Sequence, residues 1–313
     1  MFNSSFSFLT IIGYFLFGLG LIQVEARSIH TWVTEQTVPS PHYTHVRYDS
    51  PLVSPNGTVS CVPDPFVSTL HAHNMHVLWG GGLHLNASII MTDNNYKRTY
   101  LQTIGQAMDA CDIDGIEFDY EFNNNFWSKL GIVTPAYSTA YSEFLWQVKQ
   151  ATNKNKTVGA DISIWGLAKG NYILGVLPWV NATYLNSGKI DYVNTMSYHW
   201  DVHGDIAAWE KDLFFLITVW TFRPERIHLG VPFYSRNGTQ EPSWRTLSVL
   251  CPNVEPTVND CMGVPFVGKQ MQQHIGALAR KHMLGGLFPW CASFDSTNVS
   301  NALIPWLVRG FLG

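Results

Sequence analysis

Short apolar runs alternate along this chain with stretches of helical period. The runs Ile29–Val33, Thr44–Tyr48, Met75–Trp79, Gly115–Glu121, Thr157–Ile164, Tyr192–Tyr198, Ile227–Phe233 and Gly285–Trp290 have the length and character of strands in a buried sheet. Helical patterns at Asn95–Asp109, Pro135–Thr152, Gly204–Val219 and Gly268–His282 lie between them, the last followed by the stop signal Leu284-Gly285-Gly286. Strands that each precede a crossover imply a parallel sheet, and eight of them suffice to close a (β/α)8 barrel. A doubly wound open sheet is the alternative, but no glycine-rich phosphate turn follows the first strand. The pattern therefore predicts an α/β protein, a (β/α)8 TIM barrel. No repeat or linker divides residues 27–313, so they are expected to form a single catalytic domain.

Ahead of that pattern, the apolar run Phe8–Val24 ends in Val24-Glu25-Ala26, a small-residue cleavage pattern. Residues 1–26 are read as a signal peptide, with an uncleaved anchor as the alternative because no Lys or Arg precedes the run. Ile206–Phe222 is also apolar but carries Glu210, Lys211 and Asp212, which makes it a buried helix. Six N-x-Ser/Thr sequons follow the signal, at Asn56, Asn86, Asn155, Asn181, Asn237 and Asn298, in keeping with a secreted glycoprotein. The five cysteines include Cys251 and Cys261, which bracket a loop-like stretch and are expected to pair. Cys61 with Cys111 is the second candidate pair, leaving one thiol over. No C-x-x-C occurs, so a cysteine-built zinc site is not expected; no other metal and no cofactor is expected either.

Composition narrows the function. Hydrophobic residues make up 46% of the 313, so a sizeable core can form. Lys and Arg number 19 against 23 Asp and Glu, a balance that excludes a basic nucleic-acid footprint and an acidic tail. Charged residues are scarce at 13% while aromatics reach 14%, with 12 Trp. The predicted strands end in Trp32, Tyr48, Trp79-Gly80-Gly81-Gly82, Asp119/Glu121, Trp165, Met196/Tyr198, Tyr234/Arg236 and Trp290. In a barrel, function gathers at the carboxyl ends of the strands. An aromatic and acidic set there suggests flat apolar platforms around carboxylates, which suits a sugar ring.

The strongest motif is Asp114-Gly115-Ile116-Glu117-Phe118-Asp119-Tyr120-Glu121. Strand alternation points Glu117, Asp119 and Glu121 to one face and Ile116, Phe118 and Tyr120 to the other. The apolar face would pack on helices, aiming three carboxylates into the barrel about 6–7 Å apart. They cannot all ionise cheaply there, so protons are shared and at least one group titrates high. Glu121, last in the row, is placed to be the protonated acid. A solvated acidic strand is a poor fit to a parallel sheet; a hard-cation cage is the other structural reading. Asp114 has the opposite parity and joins the row only if the strand entrance bends.

Asp114–Glu121 resembles the D-G-x-D-x-D-x-E signature of glycoside hydrolase family 18, the chitinase and endo-β-N-acetylglucosaminidase barrels. Val77–Gly82 is similar to the family's third-strand S-x-G-G segment without its Ser, Met196-Ser197-Tyr198 to the sixth-strand M-x-Y, and Leu229–Arg236 to the seventh-strand G-x-P-x-Y-x-R. Trp290 follows Gly285-Gly286 as the eighth-strand Trp does. The resemblance implies that Glu121 protonates the glycosidic oxygen and then activates water. The substrate's own acetamido oxygen would be the nucleophile, as the family is an exception to the two-carboxylate rule. Asp119 would hold the acetamido N–H, Tyr198 would contact its oxygen, and Glu117 would relay charge within the row. Trp290 would floor the sugar, with Met196, His199, Tyr234, Arg236, Trp79 and Asp114 completing the candidate substrate-binding set.

Two positions depart from the family pattern. Glu117 replaces an Asp, and His199 replaces the Asp that normally follows M-x-Y; either substitution bears on activity and His199 on its pH dependence. The frequent insertion domain between strands seven and eight is absent, so a shallow, open groove is expected. The expected partner is an N-acetylglucosamine-containing oligo- or polysaccharide, with no nucleic acid and, after signal cleavage, no membrane, and the expected state is a monomer. Two other readings are a chitinase-like lectin that binds without turnover and an endoglycosidase acting on N-linked glycans. His71, His73 and His76 read as surface histidines away from the catalytic face.

Overall fold

A computed structural model describes residues 27–81, 90, 93–119, 135–152, 154–164, 180–199, 205–235 and 241–313. The expected signal peptide, Tyr120, Glu121, Trp165, Arg236 and the sequons at Asn86 and Asn237 lie outside the described residues. Eight parallel strands close into a barrel: β1 (Ser28–Trp32), β2 (His45–Arg47), β5 (His76–Gly81), β6 (Gly115–Asp119), β7 (Thr157–Ile162), β8 (Tyr192–Thr195), β9 (Ile227–Pro232) and β12 (Gly286–Trp290). The order around the barrel follows the chain, and β1 closes it against β12 through Ser28 beside Gly286 and Ile29 beside Leu287. All six residues of β9 are buried, as a strand covered on both faces requires. Two short hairpins lie outside the barrel: β3 (Leu52–Val53) with β4 (Val59–Ser60), and β10 (Asp260–Cys261) with β11 (Val264–Pro265).

The helices among the described residues are α1 (Pro65–Ala72), α2 (Asn94–Ala110), α3 (Pro135–Ala151), α4 (Ala182–Asn186), α5 (Ala207–Phe214), α6 (Trp244–Leu250), α7 (Lys269–Lys281) and α8 (Ile304–Leu312). Local chemistry sets several starts. The Asp64 carboxylate accepts from Phe66 N with Pro65 in the first turn, and Asp93 accepts from Asn95 N and Tyr96 N. The main apolar core lies between barrel and helices; it includes Ile116 and Phe118 of β6 and Phe144, Leu145 and Val148 of α3, with Phe118 meeting Phe144 edge-on at 5.5 Å. Both expected disulfides are present. Cys61–Cys111 ties the hairpin after β2 to the end of α2, Cys251–Cys261 closes the β10 loop, and Cys291 is free and buried. No helix among the described residues is long and apolar enough to cross a membrane.

Candidate active site

Pleating puts His30, Arg47, Leu78, Gly80, Glu117, Asp119, Asp161 and Tyr192 inside the barrel, and their neighbours in sequence on the helical side. The lower interior is filled by imidazoles. Register sets His30 beside His45 and His45 beside His76, and the rings stack at centroid distances of 4.1 and 4.8 Å. His228 of β9 closes on His30 at 4.3 Å, and Tyr192 stacks on His228 at 4.4 Å. Burial, then repulsion by His76, lowers the His30 pKa to about 3, so it stays neutral through the physiological range. An unfolded imidazole takes up a proton below about pH 6.5 and folded His30 does not, so its contribution is complete above that pH and is lost as pH falls toward 3. Carboxyls raised by burial, such as Asp295 at about 6, act in the opposite sense. In His30→Phe, the decline in unfolding free energy between pH 6 and pH 4 should therefore be shallower by about 1.4 kcal/mol per pH unit than in the wild type. Urea unfolding at the two pH values measures it, and equal slopes would contradict the assignment.

Above the imidazoles lies the carboxylate row. Glu117 is fully buried, and its Oε2 accepts from the Tyr192 hydroxyl at 3.1 Å. Asp119 ends β6 with one side facing the mouth, and β7 brings Asp161 alongside it. Arg47, buried to 1% exposure on β2, joins all three: Nη1 donates to Asp161 at 2.7 Å and Glu117 at 3.4 Å, and Nη2 to Asp119 at 3.5 Å. Burial opposes the guanidinium charge, but the three carboxylates outweigh it and hold Arg47 protonated. Burial raises Asp119 against the pull of Arg47, with Glu117 adding, whereas burial and then repulsion by Glu117 and Asp119 raise Asp161 well above its ordinary value, with Arg47 opposing. Both Asp161 oxygens already accept hydrogen bonds, Oδ2 from Arg47 and Oδ1 from Asn194 Nδ2 at 2.8 Å. Asp119 Oδ1 is buried and has no hydrogen-bond partner among the described residues. Asp119 is therefore the member of the described row with an oxygen open to an incoming group, although burial and repulsion raise Asp161 further.

Aromatic rings form a collar around this row. Trp290, at the end of β12, meets Trp32 edge-on at 4.6 Å and Tyr198 at 6.3 Å, and Tyr198 meets Tyr234 at 5.9 Å. Trp32 also lies over the Arg47 guanidinium at 4.0 Å. Burial, then the charge of Asp161, with Asp119 and Glu117 adding, pushes the Tyr198 phenol well above its ordinary range, so it is a neutral O–H donor. Met196 is half-buried just beyond β8 and donates its N–H to Ile162 O.

Three members of the sequence-based set stand elsewhere. Asp114 precedes β6 at the opposite end of the barrel, where its carboxylate accepts from Val77 N and pairs with His71 Nε2, both at 2.8 Å. The strand entrance does not bend it into the row. Trp79 has outward parity and packs in the core beside Tyr48, Ile113 and the Cys61–Cys111 disulfide. His199 is buried, bonds Asp212 of α5 at 2.6 Å and meets the Trp209 edge, so it turns from the cleft into the helical layer. His76 is exposed, as expected of a surface histidine, and its ring also caps the internal histidine stack. Sequence reasoning missed Arg47, although an arginine at inward parity in a buried strand demands acidic partners. No cluster of three or more metal-ligating side chains occurs among the described residues.

The family profile of glycosyl hydrolases family 18 matches residues 29–295. No curated protein sequence matches the chain. A chitinase from Bacteroides thetaiotaomicron superposes with a TM-score of 0.72 at 16% identity, covering 91% of this chain and 96% of that one. The GH18 chitinase ChiB of Flavobacterium johnsoniae gives 0.69 at 16% identity, covering 92% and 94%. The Bacillus cereus spore cortex-lytic enzyme SleL gives 0.66 at 16% identity, covering 91% and 74%. At such identities the likeness is one of fold, whereas the profile match spans most of the sequence. This chain belongs to glycosyl hydrolases family 18.

Proposed function

We propose that the chain is a secreted glycosidase that cleaves β-1,4 linkages next to N-acetylglucosamine, in chitin or its oligosaccharides, with retention and with the substrate's acetamido group as nucleophile. One observation carries this reading: beneath an aromatic collar, a buried carboxyl with an oxygen that has no partner among the described residues, Asp119 Oδ1, shares the mouth with a neutral phenol, Tyr198. An acetamido group needs that complement, an acceptor for its N–H and a donor for its oxygen. Structural neighbours that are chitinases support the substrate class.

Glu121 then donates its proton to the glycosidic oxygen as the C1–O bond breaks and the acetamido oxygen bonds C1. Asp119 accepts the N–H hydrogen bond and balances the positive charge of the ring so formed, and Tyr198 holds the acetamido oxygen in line. Glu121, now a carboxylate, takes a proton from the water that reopens the ring. Trp290 offers a face for the sugar. The two disulfides fit an oxidising compartment.

Product analysis with chitotetraose tests the reading against its rivals. Shorter acetylated products are expected. Binding without cleavage would make the protein a lectin, and release of high-mannose chains from a glycoprotein without chitotetraose cleavage would make it an endoglycosidase.

A further inference from the structure

Among the described residues, every inward carboxylate near the mouth touches one cation. Arg47 reaches Glu117, Asp119 and Asp161 from a position fixed on four sides. Trp32 covers its face, Asp161 grips Nη1, the row lies along its edge, and Gly80 of β5 backs it. A Cβ at Gly80 would lie 2.6 Å from Arg47 Nε, so the glycine leaves the space this guanidinium occupies. A structural ion pair would need one acid; here one cation spans three, on two strands, and its two shorter contacts go to the acids that already accept a second hydrogen bond.

We propose that Arg47 is a positioning residue for the reaction: it holds Glu117 and Asp161 as fixed acceptors, so that Asp119 is the member of the row that takes and releases a proton when the acetamido group arrives. The inference rests on the function proposed above and deepens it. Arg47 touches neither sugar nor scissile bond in this scheme and acts through Asp119. Among the described residues, the groups that face Asp119 are Arg47 from β2, Glu117 on its own strand, Asp161 from β7, Tyr192 and Tyr198 from β8 and its end, Tyr234 after β9 and, beyond Glu117, His30 of β1. Arg47 is the charge in that set that favours ionised Asp119; Glu117 and Asp161 oppose it.

The test is the pH profile of kcat/KM on chitotetraose for the wild type, Arg47→Met, Arg47→Lys and Asp161→Asn. Asp119 must be ionised to accept the N–H, so it sets the acid limb. Losing a cation at hydrogen-bond range moves a carboxyl upward by about one to three pH units, and the limb of Arg47→Met should move by that amount. Arg47→Lys keeps the charge and should move the limb less, with a lower kcat from the lost fork. Asp161→Asn removes a repelling acid and should move it the other way, to lower pH. An acid limb that stays in place in Arg47→Met, whatever the fall in rate, would reduce Arg47 to a structural ion pair and overturn the proposal. If Arg47→Met does not fold, Arg47→Gln, which keeps a hydrogen-bond donor but not the charge, takes its place with the same upward shift expected, and an unmoved limb overturns the proposal. If the wild type cleaves no chitotetraose, the proposed function fails by itself. Infrared titration of the buried carboxyl band in the same variants then reads Arg47 directly, with unchanged titration overturning the proposal.

Discussion

Glu121→Gln is expected to lower kcat on chitotetraose by about 10²–10⁴-fold while its dissociation constant stays within a few-fold of the wild type. The amide is nearly isosteric with the carboxyl but neither gives a proton to the glycosidic oxygen nor takes one from water. Both halves of the reaction lose their catalyst, and binding does not. The loss should shrink on an activated aryl chitobioside, whose phenolate leaves with little protonation. Steady-state rates on both substrates and fluorescence titration with chitotetraose measure these effects. Full activity of Glu121→Gln on chitotetraose would remove the general acid from the scheme.

Asp119→Asn is the second large expected loss, about 10²–10³-fold in kcat, the size seen when one group that stabilises transition-state charge is removed. Asparagine can still accept the acetamido N–H through its oxygen, so binding should survive. What disappears is the negative charge against the positive ring formed by attack. The acid limb of the pH–rate profile should vanish with it, since no carboxyl remains there to protonate. Rates from pH 4 to pH 8 check both points. A variant with wild-type kcat, or with an unchanged acid limb, would show that Asp119 does not hold the reacting amide.

The barrel was legible because its signal is repeated: eight apolar runs of strand length punctuate the chain, and each lies within a few residues of an observed strand. The row Glu117–Asp119 was legible for the same reason, since pleating fixes which side of β6 each residue takes. Parity also explains what failed. Trp79 is near a strand end but on the outward side, and an aromatic there serves the core. Asp114 belongs to the same octapeptide as Asp119, yet five residues of parallel strand carry the two to opposite ends of the barrel. His199 lies past the last residue of β8, where alternation no longer constrains it, and Asp212 of α5 turns it outward into the helical layer. Arg47 and the histidine stack depend on partners 70 or more residues away or on register between strands, which no local pattern encodes.

Comparing chitotetraose with its fully de-N-acetylated counterpart, by proton NMR that follows both rate and anomeric form, tests the mechanism most directly. The account requires cleavage of the acetylated chain with β product formed first, and a rate at least about 10³-fold lower without the acetyl groups, since the nucleophile is then missing. Equal rates on the two chains, or α product at the outset, would contradict it.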